Sequence, residues 1–142
     1  IKLIEKTINV SDQTEDLEIS YVIKTDKNVI VRGGKDHLLR IFNNLVKNAI
    51  EAIPDYRKGQ IRVTLETRGN NVFIEVADNG KGIPENLRDS IFNHNFTTKS
   101  SGTGLGLAFV KQAIENMYGT IRFETELNQG TSFLITLPLA GA

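Results

Sequence analysis

The stretch DNGKGIP, residues 78–84, joins one carboxylate to two closely spaced glycines. An ordinary turn needs a single glycine, so Gly80 and Gly82 together indicate that something comes unusually close to the backbone here. We expect a flat group to lie against this turn while Asp78 accepts a hydrogen bond from it. The alternative is a plain surface turn after a strand, and the D-x-G-x-G pattern by itself does not separate the two.

Composition narrows the classes of protein that fit the chain. Its 142 residues suit one domain, residues 1–142, which can bury a core without help from a metal or disulfides. Lys+Arg and Asp+Glu are equal at 17 each, which argues against the basic surface of a general nucleic-acid binder. The absence of cysteine excludes thiol catalysis and cysteine-ligated zinc. No apolar run is long enough to span a membrane.

Hydrophobic periodicity predicts an α+β chain rich in antiparallel pairs. Six segments have the alternation and composition of strands, and consecutive ones pair as hairpins: 17–25 with 28–33, 59–68 with 71–78, and 120–127 with 131–139. Three segments predict helices: 35–53, which Pro54 stops, a short one at 85–92, and 104–119. This order favours a mostly antiparallel sheet that is covered by helices on one face.

The first predicted helix carries two asparagines on one face. Asn44 and Asn48 are four residues apart, and asparagine is a poor residue for a helix interior because its side chain competes for backbone hydrogen bonds. An amide oxygen is a hard ligand that Mg²⁺ accepts together with waters and phosphates. The alternative is a solvated polar face, and the helix taken alone favours that alternative.

The stretch SGTGLGL, residues 101–107, places three alternating glycines directly before a helix. Free backbone N–H groups and the positive end of the helix then converge, which suits a phosphate group. The alternative is a helix N-cap with a flexible lead-in. The preceding segment, 79–102, is long and irregular, which is usual for a functional loop. Within it Phe92 and Phe96 are expected to anchor the loop to the core, and Lys99 either meets phosphate charge or is solvated.

The four motifs in sequence order resemble a known family. N-x-x-x-N on a helix, D-x-G-x-G, F-T-T-K and G-T-G-L-G-L together resemble the catalytic ATP-binding domain of bacterial sensor histidine kinases. That domain belongs to a wider group that includes DNA gyrase B, Hsp90 and MutL. The resemblance covers about residues 17–139. It implies a two-layer α/β sandwich of the Bergerat type, with a mixed, mostly antiparallel sheet covered on one face by about three helices.

The resemblance implies roles for the residues near the phosphates of ATP. Asn48 would hold Mg²⁺ against the phosphates, Asn44 would support the site, and Lys99 would meet the phosphate charge. These three are the candidate catalytic residues. Residues 84–102 would form a mobile ATP lid. The second glycine motif would supply further nucleotide contacts: Gly102, Thr103, Gly104, Leu105 and Gly106.

The resemblance also implies which residues hold the base. Asp78 would accept a hydrogen bond from the N6 amine of adenine, with Gly80, Gly82 and Ile83 beside the ring. Thr131, in the G-T-S-F stretch of the last strand, would reach adenine through a water molecule. Adenine is then the flat group expected at residues 78–84, the turn that contains Gly80 and Gly82 and is called the glycine turn below.

Two departures from the family pattern bear on the activity. Gyrase and Hsp90 relatives place a glutamate that activates water one turn before the Mg²⁺ asparagine, where this chain has Asn44. ATP hydrolysis should therefore be slow, which suits a kinase that transfers its phosphoryl group to another protein segment. Many family members carry Lys or Arg at the position of Glu51, so phosphate charge has to be met elsewhere, with Lys99 the best candidate.

The family's acceptor histidine sits in an H-E/D-x-x-x-P context, and neither His37 nor His94 has that context. The resemblance therefore implies an isolated catalytic domain, in which residues 1–16 lead in from a missing helical dimerisation domain. The expected partners are that phosphoacceptor domain of the same parent protein and, downstream, a response regulator. No nucleic acid or membrane contact is expected for this domain, and the isolated domain is expected to be a monomer. The implied location is the cytoplasm, which is compatible with a parent protein anchored in the inner membrane.

Two other functions remain open at this point. A serine protein kinase of the anti-sigma-factor type uses the same nucleotide fold and would act on a serine of a small partner protein. A non-catalytic module would use the nucleotide only to shape a regulatory surface.

Overall fold

The structure is a computed structural model that describes residues 17–25, 35–93 and 106–139. The strand predicted at 28–33, and with it the first predicted hairpin, lies outside the described residues. Phe96, Lys99 and the predicted phosphate-binding residues 102–105 also lie outside them. No helix within the described ranges is long and apolar enough to cross a membrane.

The described elements follow the order that the sequence predicts. They are β1 (Leu17–Lys24), α1 (Lys35–Glu51), β2 (Gly59–Arg68), β3 (Asn71–Asp78), a 3-10 helix (Glu85–Ser90), α2 (Gly106–Asn116), β4 (Thr120–Glu126) and β5 (Gly130–Pro138). The prediction of α1 is confirmed, although the helix ends two residues earlier than expected. The short helix predicted at 85–92 is present as a 3-10 helix, and five of the six predicted strands lie in the described sheet.

The five strands form one mixed sheet in the order β1-β2-β3-β5-β4. β1 and β2 are parallel, which requires a crossover connection, and α1 lies between them in the chain. The other three neighbouring pairs are antiparallel, so the prediction of a mixed, mostly antiparallel sheet is confirmed. The pairing of β3 with β5 sets Asp78 opposite Thr131, at the end of β3 where the glycine turn begins.

One hydrophobic core lies between the sheet and the two α-helices. α1 buries Ile41, Leu45 and Ala49 at helical spacing, and alternate residues of the central strands meet them from the sheet. The opposite face of the sheet carries solvated ion pairs such as Arg62 with Glu75, 3.8 Å apart. Because apolar residues alternate with polar ones along each strand, only one face of the sheet can be covered. This is the two-layer sandwich that the sequence predicts.

Helix α2 ends in a Schellman motif with an unusual residue at its left-handed position. The Gly119 N–H donates to the Ile114 carbonyl at 2.9 Å, and the Tyr118 N–H donates to the Glu115 carbonyl at 3.0 Å. Tyr118 itself has φ 63, a conformation that glycine adopts without strain and tyrosine does not. Its side chain is 79% exposed, so few contacts offset that strain.

We expect Tyr118→Gly to stabilise the domain by about 0.5–1 kcal/mol. The free energy gained by relief of the left-handed strain exceeds the entropic cost of ordering the more flexible glycine backbone on folding. Urea unfolding followed by circular dichroism measures the change. Tyr118→Ala is the control, because alanine removes the ring and keeps the strained Cβ. An equal gain in both variants would trace the effect to the ring instead.

Candidate functional site

A cavity of about 250 Å³ opens between the end of α1, the paired ends of β3 and β5, and the loop that follows β3. Its wall is lined by Asn48, Glu51, Ala52, Asp78, Lys81, Gly82, Ile83, Pro84, Leu87, Ile91, Leu107, Thr131 and Phe133. Five of the predicted site residues are thus brought together: Asn48, Asp78, Gly82, Ile83 and Thr131. Gly80, Asn44 and Gly106 lie nearby without lining the wall.

The Asp78 carboxylate is held in one orientation by the backbone. Its Oδ1 accepts from the Gly80 N–H at 2.8 Å and from the Thr131 N–H at 3.3 Å. Within the described residues no hydrogen bond reaches Oδ2, which is therefore the oxygen available to a donor in the cavity. Burial raises the pKa of the Asp78 carboxyl above its ordinary value, and the two backbone hydrogen bonds oppose that rise.

Packing within the fold, independent of any ligand, requires both glycines of the turn. A Cβ at Gly80 would stand 2.7 Å from the carbonyl oxygen of Ala52, at the end of α1. Gly82 has φ +76, and a Cβ there would collide with the carbonyl oxygen of Glu126. The close approach that the spacing predicts is thus made by neighbouring backbone on both sides. Gly82 in addition lines the cavity, so it is also near any occupant.

Polar side chains hold the turn in place from outside the cavity. The Asn79 side chain accepts from the Gln60 N–H at 2.7 Å and donates to the Lys58 carbonyl at 3.0 Å. Arg57 donates through Nη1 to the carbonyls of Asn79, at 2.7 Å, and Asn128, at 3.0 Å. These bonds join three separate loops, so the turn is positioned before any ligand arrives.

The cavity has an apolar part that the motifs do not reveal. Leu87, Ile91, Leu107 and Phe133 line it together with Ile83. Phe133 follows the inward alternation of β5 and Leu107 lies in the first turn of α2, so the sequence predicts their burial and not their place in this wall. Lys81 is a further lining residue that sequence reasoning missed, although it stands inside the glycine motif.

The loop after β3 is anchored as expected by Phe92. Its ring packs edge-on against Phe123, with ring centroids 6.0 Å apart, and against Phe133, at 6.3 Å. The prediction that Phe92 attaches this loop to the core is confirmed. Because Phe133 also lines the cavity, the aromatic cluster ties the loop to the wall of the site.

The two asparagines of α1 occupy different surroundings. Asn48 lines the cavity, whereas Asn44, one turn earlier, lies against the start of α2, where its Oδ1 is 3.3 Å from the position of a Cβ at Gly106. The Asn44 Nδ2 is buried and has no hydrogen-bond partner among the described residues. A buried amide without a partner is costly, so this atom indicates a contact that the described residues do not supply.

The donor set at Asn48 fits one kind of metal binding. No group of three or more His, Cys, Asp or Glu residues in the described ranges could form a protein cage around an ion. A hard cation such as Mg²⁺ commonly takes few protein ligands and completes its shell with waters and phosphate oxygens. The Asn48 amide, in the wall of a cavity large enough for a ligand, suits that arrangement.

Comparisons with known proteins show which family the chain is similar to. Residues 33–141 match the family described as histidine kinase-, DNA gyrase B- and HSP90-like ATPase. The sensor histidine kinase ZraS of Escherichia coli (strain K12) is 41% identical over 109 residues, which are 77% of this chain and 23% of ZraS. The catalytic domain of the histidine kinase ThkA, in a nucleotide-free form, is 31% identical with a TM-score of 0.80, over 97% of this chain and 91% of that one. Full-length ShkA in complex with AMPPNP is 25% identical with a TM-score of 0.81, over 99% of this chain and 30% of that one.

The chain therefore belongs to the histidine kinase-, DNA gyrase B- and HSP90-like ATPase family. Within that family its relatives are sensor histidine kinases, and the resemblance found in the sequence to their catalytic domains is confirmed. The chain spans about a quarter of the length of the curated relatives it matches.

We expect the stability of the domain to carry a pH dependence from Asp78. Because burial raises its folded-state pKa above the unfolded value of about 4, the folded protein binds this proton more tightly. The stabilisation of the folded state that comes from this tighter proton binding is complete below about pH 4 and is lost as pH rises through the raised pKa. The free energy of unfolding of the wild type relative to Asp78→Asn should therefore fall across that window, measured by urea unfolding at several pH values. A difference that is constant with pH, or that grows, would contradict the expectation.

Proposed function

We propose that this domain binds ATP with Mg²⁺ in the cavity beside Asp78. It then presents the γ-phosphoryl group to a histidine on a separate helical domain of its parent protein. The observation that carries the proposal is the Asp78 carboxylate, whose Oδ1 is occupied by backbone donors while Oδ2 is available to a donor in a largely apolar cavity.

The Asp78 end of the cavity suits the adenine base. A purine ring is flat and apolar on its faces, and its exocyclic amine donates hydrogen bonds. Ile83, Ile91 and Phe133 offer apolar surface to the faces, and Asp78 offers an acceptor to the amine. Because the carboxylate is already fixed by two N–H groups, binding an amine requires little reorganisation.

The Asn48 end suits the phosphates. The amide oxygen of Asn48 would hold Mg²⁺ jointly with phosphate oxygens, and Lys81 lines the same cavity with a positive charge. When bound, Mg²⁺ would neutralise phosphate charge that otherwise opposes attack on the γ-phosphorus. Contacts from Lys99 and residues 102–105 remain predictions of the resemblance.

The side chains near the phosphate end favour transfer to a protein over hydrolysis. An amide cannot act as a general base, and Asn44 occupies the position where related ATPases carry a glutamate that activates water. Phosphoryl transfer depends mainly on positioning and charge neutralisation, so the nucleophile can come from outside the domain. The sensor kinases that match are longer proteins, which supports partners in the form of a helical phosphoacceptor domain and a downstream response regulator. This role would place the domain in the cytoplasm.

We expect calorimetric titration of ATP with Mg²⁺ to give saturable binding that Asp78→Asn weakens at least about tenfold. The substitution removes the charged acceptor, and hydrogen bonds to charged groups contribute about 1.5–3 kcal/mol. Asp55→Asn is the matched control, since Asp55 is exposed and does not line the cavity. A folded wild type that binds no ATP would refute the proposed nucleotide site.

The acceptor is identified by adding the helical domain of the parent protein and radiolabelled ATP. Phosphohistidine is lost in acid and survives base, whereas phosphoserine survives acid. Acid-labile label on the helical domain supports the histidine kinase. Acid-stable label on a partner protein would favour the serine kinase, and binding without transfer to any acceptor would favour the regulatory module.

Asn48→Ala should remove most of the dependence of ATP affinity on Mg²⁺, because the chain then loses its amide ligand to the ion. The measurement is the ratio of ATP affinities with Mg²⁺ and with a chelator. Asn43→Ala is the control: Asn43 lies on the same helix and is exposed. If Asn48→Ala keeps the wild-type ratio, Asn48 is not the metal ligand.

A further inference from the structure

Thr125, on the edge strand β4, makes three hydrogen-bonding contacts through one hydroxyl. Its Oγ1 accepts from the Ile83 N–H at 2.9 Å and donates to the Gly130 carbonyl at 3.2 Å. It also lies 2.9 Å from the Oγ1 of Thr131, where distance alone leaves the donor open. Thr125 does not line the cavity, but Ile83 and Thr131 both do. It therefore joins two parts of the wall from behind.

The three contacts together decide where each proton lies. A hydroxyl has one proton to donate and two lone pairs that accept. The Gly130 carbonyl can only accept, so it takes the Thr125 proton, and the Ile83 N–H can only donate, so it occupies one lone pair. The remaining lone pair of Thr125 must then accept the proton of Thr131. This is the one assignment in which all three contacts are hydrogen bonds.

The assignment fixes what Thr131 offers to the cavity. Thr131 is 6% exposed, and its only hydroxyl proton is committed to Thr125, so toward the cavity it presents lone pairs alone. Asp78 presents an acceptor beside it through Oδ2. A water held between these two acceptors would donate to both and leave its own lone pairs for the ligand. The polarity of the wall is thus the same with or without such a water.

We propose that Thr125 is a positioning residue that makes this end of the site an acceptor-only surface, which selects a purine with an amino group at C6 over one with a carbonyl there. The inference rests on the proposed binding of ATP. An amine donates to both acceptors, whereas a C6 carbonyl would face them with lone pairs of its own. A site that leaves polar groups facing like groups rejects the mismatched ligand strongly.

The test compares ATP with inosine triphosphate, which carries a carbonyl at C6, on the wild type and on Thr125→Val. Valine keeps the shape of threonine and removes the hydroxyl, so the Thr131 proton becomes free to donate into the cavity. We expect the preference for ATP over inosine triphosphate to fall about three- to tenfold, the change that follows from one hydrogen bond. Thr125→Ser keeps the hydroxyl and should restore the wild-type ratio.

The ratio of the affinities for ATP and inosine triphosphate separates this role from a structural one. If loss of the bond to the Ile83 N–H only loosens the loop, the binding of both nucleotides weakens equally and the ratio is unchanged. Thr67→Val is the matched control, because the Thr67 hydroxyl is also hydrogen-bonded to a threonine hydroxyl: it donates to that of Thr25 at 2.9 Å, at the far end of β2. If Thr125→Val does not fold, Thr125→Cys replaces the hydroxyl by a weakly bonding thiol of similar size.

Each outcome bears on one of the two proposals. The role of Thr125 is supported if Thr125→Val lowers the ratio of ATP affinity to inosine triphosphate affinity while Thr125→Ser and Thr67→Val keep the wild-type ratio. Where the valine variant does not fold, the same result in Thr125→Cys supports it. An unchanged ratio in a folded variant that still binds ATP overturns it and leaves the nucleotide site standing. A folded wild type that binds neither nucleotide overturns the proposed function itself.

Discussion

The pairing of β3 with β5 is the constraint on which the site depends. It places the last residue of β3, Asp78, opposite the second residue of β5, Thr131, whose N–H then reaches the carboxylate. A shift of one residue in this register would turn Asp78 to the other face of the sheet and expose the apolar residues beside it. The register is therefore fixed by burial of the core, and the core in turn fixes the orientation of the carboxylate.

The glycine turn, which begins at Asp78, forms one side of the cavity. Backbone from the end of α1 and from the end of β4 closes on the turn where Gly80 and Gly82 lack a Cβ. Arg57 and Asn79 tie the same turn to neighbouring loops. The carboxylate is buried at a cost that appears as its raised pKa, and its two backbone donors offset part of that cost. A site built in this way is rigid where the base would lie.

Much of the architecture could be predicted because it follows from local patterns. The apolar spacing of α1 and the alternation of β2 and β3 around Gly69 depend on residues close in the chain, and both are confirmed. The anchoring by Phe92 is confirmed too, but its partners Phe123 and Phe133 are distant in the chain, so the sequence predicted the anchor and not its contacts. Motif order likewise led to Asn48 and Asp78, which the fold brings to one cavity. The parallel pairing of β1 with β2 did not follow from the sequence, because parallel partners are distant in the chain and no turn connects them.

The sequence by itself determined the elements, the family and the acidic residue at the centre of the site, since periodicity and motif spacing are local properties. Only the tertiary structure decided which residues share the wall. Lys81, Leu107 and Phe133 line the cavity, while Asn44 turns toward the start of α2 instead. It also gave Thr125 its place behind the wall, because the direction of a hydroxyl proton depends on donors and acceptors that three separate segments bring together in space.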